Sequence, residues 1–376
     1  MLDYKKEYER WLASDALNAD EKAELQAIAG DEKEIESRFY GPLEFGTAGL
    51  RGTMKVGLHQ MNVHVIRWAT QGFADVIAAE GDAAKKKGVA ICMDCRVNSM
   101  AFARAAAEVC AANGIRVRIF ESLRPTPELS FAVRYYGCQA GINVTASHNP
   151  KEYNGYKVYW ADGAQLPPQH AAAIAARLEQ IDIFTGVKRM AFDDAVKAGL
   201  ITLLGEETDK MFMSNVMAMV NDRTSVAQVA DSFKVVYTPF HGCGWKLVPE
   251  ALRGLGVKNL YCVEQQMVLD GTFPTVASPN PENPEGFYLA IELADKVGAD
   301  FILGTDPDSD RVGIMVRGAD GRFIAVTGNQ TGVLLLDYLI GAMRRAGKMP
   351  EHPYFLKTIV TTEMARKVAE SNGVTC

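Results

Sequence analysis

Three short segments carry side chains whose types and spacing can do chemistry. In FILGTDPDSDR (301–311) an apolar run opens into a turn bearing Asp306, Asp308 and Asp310. Alternate carboxylates on a tight loop converge on one point, and their repulsion calls for a hard divalent cation, Mg2+ or Ca2+. Arg311 follows at once and can hold an anion beside such a cation. The spacing is not that of an EF-hand, because the sixth and twelfth loop positions are Arg311 and Arg317 rather than glycine and glutamate. In GINVTASHNP (141–150) a second apolar run opens into a turn enforced by Asn149-Pro150, with Ser147 at the tip and His148 beside it. A serine becomes a nucleophile when a neighbouring base or metal activates it. Lys157, ten residues beyond Ser147, can return to the same rim as a proton donor. In FGTAGLRG (45–52) Gly46, Gly49 and Gly52 let backbone amides approach an anion next to Arg51.

Each segment also has a plainer reading: a solvated acidic turn, an Asn-Pro turn with an ordinary hydroxyl, a surface lysine on a strand, and a simple glycine-rich loop. FGTAGLRG is neither a dinucleotide fingerprint nor a Walker A motif. Cys92 and Cys95 form one C-x-x-C with no second pair at zinc spacing, so they read as strand-end thiols. HGCGWK (241–246) lacks the third glycine of a dinucleotide site. His59, His64, His170 and His352 share no motif and read as structural or surface residues.

These segments sit in a chain that alternates strands with helices. The apolar runs 88–93, 115–120, 140–145 and 155–160 read as strands, with a helix over 101–113, and this layout predicts a layered α/β fold. A unit of strand, helix, glycine turn and strand starts at residue 88. It recurs from KVVYT (234–238) and again from FLKTIV (355–360), which predicts three related α/β domains. In each unit the glycine closes the helix before the next strand. Residues 1–40 read as charged helices, the second capped by Asp20 and stopped by Gly30. Domain boundaries are expected near Gly205 and Gly318, giving 1–40, 41–205, 206–318 and 319–376. The third unit stops as its second strand begins, so the chain is expected to be C-terminally truncated or part of a longer polypeptide.

Composition narrows the class. Of 376 residues 48% are hydrophobic and 23% charged, as in a globular protein, and the net charge is −6. No basic cluster points to nucleic acid or an anionic membrane. The seven cysteines read as free thiols of a reducing compartment. The start MLDYKKEYERW lacks the apolar stretch of a signal peptide, and the apolar run around Val333–Met343 is interrupted by Asp337 and too short to span a bilayer. A cytoplasmic location is expected.

Taken together, FGTAGLRG, TASHNP (145–150), the lysine at 157 and GTDPDSDR (304–311) resemble the α-D-phosphohexomutases, the phosphoglucomutase/phosphomannomutase family. The motifs occur in that family's order along essentially the whole chain. FGTAGLRG and the long N-terminal extension look most like its phosphoglucomutase-2/phosphopentomutase branch. The resemblance implies repeated three-layer α/β/α domains with mixed sheets, the third incomplete and the fourth absent here. It implies that Ser147 is phosphorylated and that Asp306, Asp308 and Asp310 bind Mg2+, with Ser147 as a further ligand. It also implies that Arg51, Lys157 and Arg311 line the phosphoryl-transfer site, Lys157 acting as general acid/base and His148 in support. The activity implied is interconversion of hexose 1-phosphate and 6-phosphate, glucose first among them, through glucose 1,6-bisphosphate. No sugar-reading or substrate-phosphate loop of the family precedes Cys376, and GEET (205–208) lies too early to be one. The chain alone is therefore expected to turn over poorly.

Two other classes compete. In a haloacid-dehalogenase-type phosphohydrolase Asp306 would be the nucleophile and Asp308 the acid, but that leaves Ser147 unexplained and finds no acidic pair downstream. A non-catalytic sugar-phosphate-binding module is the third reading, and the absence of phosphate on Ser147 would favour it. The choice among glucose, mannose and pentose phosphates and the oligomeric state are not legible.

Overall fold

The computed structural model describes residues 2–376, which fall into two units: residues 2–212 with Asp270–Phe273, and Met213–Leu269 with Pro274–Cys376.

The first unit is organised by a run of five apolar residues, Val89–Met93, that is buried on both faces. Continuous apolar runs of this length suit the interior strands of a parallel sheet covered on both sides. In chain order the strands are β1 (Leu50–Thr53), β2 (Val89–Met93), β3 (Val117–Phe120), β4 (Ala140–Val144), β5 (Tyr153–Trp160) and β6 (Ile201–Leu204), in the spatial order β1-β5-β4-β2-β3-β6. The pairs β4–β2, β2–β3 and β3–β6 are parallel, while β5 is antiparallel to both β4 and β1. Val89, Ile91 and Met93 face a core shared with the helices Val63–Ala79 and Ser99–Ala112. Ala90 and Cys92 face Leu129, Ala132 and Val133 of the helix Thr126–Tyr135. The result is a three-layer arrangement around a mixed sheet.

The second unit holds β7 (Lys234–Thr238), β8 (Asn259–Cys262), β9 (Phe301–Thr305), β10 (Val312–Arg317) and β11 (Phe323–Val326), ordered β11-β10-β9-β7-β8. Here β9–β7 and β7–β8 are parallel, and β10 is antiparallel to β9 and β11. The orders β5-β4-β2-β3 and β10-β9-β7-β8 are the same, with the same directions. The repeat seen in the sequence is thus a repeat of topology, and Gly114 and Gly256 both take the left-handed conformation after their helices.

The third copy departs from expectation. FLKTIV forms no strand: the isolated bridge Tyr354 to Thr375 lies just before it, Phe355 N–H donates to the Thr375 carbonyl at 2.7 Å, and Leu356, Ile359 and Val360 are exposed. Apolar, β-branched composition makes a strand only where a neighbouring strand accepts its ladder. The helix Glu363–Ser371 does form, packed against Leu336 and Ile340 of the helix Gly328–Arg345.

At the N-terminus three helices, Tyr4–Ala13, Ala19–Ala27 and Glu32–Phe39, pack on the first unit's core. The second is capped by Asn18 rather than Asp20, because Asn18 and Glu21 complete a reciprocal capping box, and it ends at Ala27, short of Gly30. Trp11 is fully buried and meets Phe39, His64 and Phe184 edge-on, with ring centroids 5.1–5.7 Å apart. His64 sits in this apolar setting with Nε2 3.1 Å from Glu21. Burial pushes its pKa below the ordinary 6.5, Glu21 opposes that shift, and Arg67 and Arg189 add to it. A histidine that is harder to protonate folded than unfolded contributes stability above about pH 6.5 that is lost as pH falls through the folded value. Acid titration of the unfolding midpoint is therefore expected to fall more steeply in the native protein than in a His64→Gln variant, as followed by circular dichroism.

Candidate functional site

The Ser147 loop grows from the C-terminal end of β4, where a fully buried strand must turn back into antiparallel β5. Ser147 is the turn residue, with φ of 55°, a left-handed conformation that costs a non-glycine residue energy and persists only when its surroundings enforce it. Its N–H donates to Thr145 Oγ1 at 2.9 Å and its carbonyl accepts from Arg96 Nη2 at 2.8 Å. The Ser147 hydroxyl lies 3.3 Å from His148 Nδ1, a hydrogen bond in which the hydroxyl donates when Nδ1 is unprotonated. Asn149 accepts at Oδ1 from Arg51 at 3.0 Å. Arg51 reaches it because β1 pairs with β5, Arg51 opposite Gly155, and Gly49 permits that approach. A Cβ on Gly49, whose φ is +75°, would lie 1.8 Å from the Tyr156 carbonyl oxygen. Lys157 is buried on β5 opposite Asn143 of β4. Arg51, Ser147 and His148 therefore gather on one loop cluster, with Lys157 four residues into the strand that leaves it.

Sequence reasoning missed the residues that hold this loop. Arg96, in the loop after β2, donates to the carbonyls of Ser147 (2.8 Å), Asn149 (2.5 Å), Pro150 (2.8 Å) and Tyr153 (3.0 Å). Its side chain is fully buried and ion-paired with equally buried Asp94 at 3.3 Å. The legible signal was a charged pair directly after a fully buried strand of the sheet's parallel part, the position where such folds place their sites.

In the second unit the acidic loop joins β9 to β10, the place in the repeat that the Ser147 loop occupies in the first. Asp306, Asp308 and Asp310 each offer an oxygen, all within 4.8 Å of one another, with Asp306 and Asp308 buried and Asp310 exposed. The turn is closed by Ser309 N–H to the Asp306 carbonyl and by Arg311 N–H to Asp306 Oδ1, both 3.0 Å, with Ser309 left-handed. Burial, followed by the charges of Asp308 and Asp310, pushes the Asp306 carboxyl up to about 9. A compact all-oxygen donor set with this much negative charge fits a hard divalent cation. Arg311, exposed, follows at the rim.

The loop after β7 supports the acidic loop as the loop after β2 supports Ser147. Cys243 N–H donates to the Pro307 carbonyl at 2.8 Å. His241 is locked, Nδ1 donating to the Val268 carbonyl at 2.7 Å and Nε2 accepting from the Thr275 hydroxyl at 2.8 Å. Gly242 lies so close that a Cβ there would meet Pro307 Cα at 2.4 Å. Gly242→Ala is expected to push the acidic loop aside and weaken Mg2+ binding about tenfold or more, read by titration calorimetry. Unchanged affinity would show that the packing is irrelevant to the donor set.

Repeated mixed α/β units, each with its site loop at the parallel-to-antiparallel junction and a clamp from the first strand's loop, define a distinct class of layered α/β protein. Residues 42–183 match the family model for phosphoglucomutase/phosphomannomutase α/β/α domain I, and residues 210–321 match domain II, together more than half of the chain. A phosphoglucomutase of Staphylococcus saprophyticus is 36% identical over 343 residues, covering 91% of this chain and 60% of the relative. One of Staphylococcus haemolyticus is 34% identical over 340 residues, 90% of this chain and 60% of the relative. The crystal structure of a putative phosphomannomutase from Thermus thermophilus shares the fold, with a TM-score of 0.70 at 23% identity over 89% of this chain and 68% of that one. The chain belongs to the phosphoglucomutase/phosphomannomutase family, the α-D-phosphohexomutases. It spans about 60% of the length of the curated relatives it matches. No helix among the described residues is long and apolar enough to cross a membrane.

Proposed function

We propose that this chain carries the phosphoryl-transfer centre of a phosphosugar mutase, an isomerase that interconverts hexose 1-phosphate and hexose 6-phosphate, glucose being the first substrate to test. The observation that carries the reading is Ser147, a hydroxyl at the tip of a left-handed turn, hydrogen-bonded to His148 and with its backbone held on both sides. Phosphorylated Ser147 donates its phosphoryl group to the free hydroxyl of a sugar monophosphate, breaking the serine O–P bond and forming a sugar O–P bond. The resulting glucose 1,6-bisphosphate then returns its other phosphoryl group to the serine. Lys157, as general acid and base, handles the proton that the sugar hydroxyl loses and Ser147 gains, and His148 orients the serine oxygen. Arg51 and Arg311 bind phosphate oxygens and offset their charge.

Asp306, Asp308 and Asp310 are the residues to hold Mg2+, which when bound supplies charge neutralisation for phosphoryl transfer; the family resemblance adds Ser147 as a further donor. The domain division proposed is 1–40, 41–205, 206–318 and 319–376. A cytoplasmic location with sugar phosphates as partners, and neither nucleic acid nor membrane, goes with this reading. The test is a coupled assay of the complete gene product with Mg2+ on glucose 1-phosphate, mannose 1-phosphate and ribose 1-phosphate. Turnover of at least one, activated by its bisphosphate, is expected. Hydrolysis to free phosphate without isomerisation would sink the reading.

A further inference from the structure

We infer that Arg96 is a positioning residue for phosphoryl transfer: it sets the direction of the Ser147 hydroxyl through the loop backbone, without touching the transferred group. The inference rests on the reading of Ser147 given above and deepens it. The guanidinium spends both terminal nitrogens on four carbonyls, all between residues 147 and 153. Its Nε faces Asp94, which also accepts from the Arg96 N–H at 2.9 Å and from the Ser99 hydroxyl at 2.7 Å, so the arginine cannot swing away. Phe273, itself buried, lies against the guanidinium with its ring centre 5.1 Å from Cζ. Asn154 ties the start of β5 to the same loop through the Val97 carbonyl and the Ser99 hydroxyl, both 3.0 Å away.

A planar, five-donor cation is suited to collecting several carbonyls at once, and a lysine ammonium is not. The carbonyls so collected belong to residues that a left-handed serine turns towards Arg96, while Thr145 takes the serine N–H. The two contacts fix the peptide groups on both sides of Ser147, and those groups decide where its Cα–Cβ bond points. A phosphoryl transfer needs its oxygen in line, and a misplacement of about 1 Å costs on the order of 10²-fold in rate. Arg96 therefore acts on the rate of transfer rather than on the affinity for sugar phosphate.

The experiment follows single-turnover labelling of Ser147 by radiolabelled glucose 1,6-bisphosphate in the complete gene product with Mg2+. It compares the native protein, Arg96→Lys, Thr145→Val and Asp94→Asn, and records the thermal midpoint of each. For Arg96→Lys the labelling rate is expected to fall about 10²-fold while the half-saturating bisphosphate concentration changes less than about threefold. Thr145→Val, which removes the hydroxyl that holds the Ser147 N–H and also bonds Asp94, is expected to move the same way by a smaller factor; Asp94→Asn, which loosens the arginine while leaving its carbonyl contacts, covers the case in which the Arg96 variant does not fold. Labelling at the native rate in a folded variant overturns the inference. So does a rise in half-saturating concentration that accounts for the loss, because that would make the loop a binding element. If the native protein labels at a residue other than Ser147, or not at all, the underlying reading fails and the inference with it; normal native labelling isolates the question of Arg96.

Discussion

Ser147→Ala is expected to abolish mutase turnover in the complete gene product, by at least about 10⁴-fold in kcat, with the protein still folded. Removing the nucleophile of a covalent mechanism leaves only the residual contribution of binding and electrostatics, and losses of this size are the rule for such residues. The substitution deletes one buried oxygen and its 3.3 Å contact to His148, so the packing of β4 and β5 is untouched. The left-handed turn remains, since Thr145 and Arg96 hold its main chain rather than its side chain. A steady-state assay, with circular dichroism as the control for folding, checks this. Retention of more than about one per cent of kcat contradicts a serine intermediate.

Asp308→Asn is expected to produce the second-largest effect and to split by condition. In chelator the variant is expected to unfold at the same temperature as the native protein or higher, because three carboxylates converge within 4.8 Å and two of them are buried, and removing one charge relieves both the burial of charge and the repulsion. In millimolar Mg2+ the native protein gains stability by binding a cation to its folded state, and the variant loses most of that gain. Calorimetry is expected to give a loss of about 10²-fold or more in Mg2+ affinity, and turnover to fall with it. A variant that is less stable than the native protein in chelator, yet binds Mg2+ normally, would make Asp308 a structural residue and leave the donor set wrongly drawn.

What was legible in the sequence was what local composition determines. Val89–Met93 and the Val235–Tyr237 stretch of Lys234–Thr238 could be read as strands because the buried interiors of central parallel strands are continuous apolar runs. The two site loops could be read because charged and hydroxyl side chains stand directly after such strands. The clamps could not, because they join residues 51 to 64 positions apart through bonds that leave no periodicity: the Arg96 side chain to main-chain carbonyls between 147 and 153, and the Cys243 N–H to the Pro307 carbonyl. Asp94 and Arg96 flank Cys95 of the C-x-x-C, so the segment reads as strand-end thiols rather than as a charged pair. FLKTIV failed for the opposite reason: its composition is that of a strand, but strand formation depends on a partner elsewhere in the chain. Asn18 outranked Asp20 as a cap because a cap needs its reciprocal residue three positions on, which is Glu21 for Asn18 and Ala23 for Asp20.

The equivalence of the two loops has a chemical consequence. In the proposed reaction one repeat uses its parallel-to-antiparallel junction to present a nucleophile, and the next uses the same junction to gather carboxylates. In both, the first strand's loop fixes the main chain so that the functional side chains are left for chemistry. Pre-organisation of this kind sets the geometry during folding rather than during the reaction.

In the proposed reaction phosphate is carried on Ser147. That assignment is tested most directly by incubating the complete gene product with Mg2+ and radiolabelled glucose 1,6-bisphosphate, digesting it and locating the label by peptide mapping. Acid-stable label is expected on the peptide containing Ser147, removed on chasing with glucose 6-phosphate. Hydroxylamine-labile label on the peptide containing Asp306, with none on Ser147, would contradict that assignment and make the acidic loop the nucleophile.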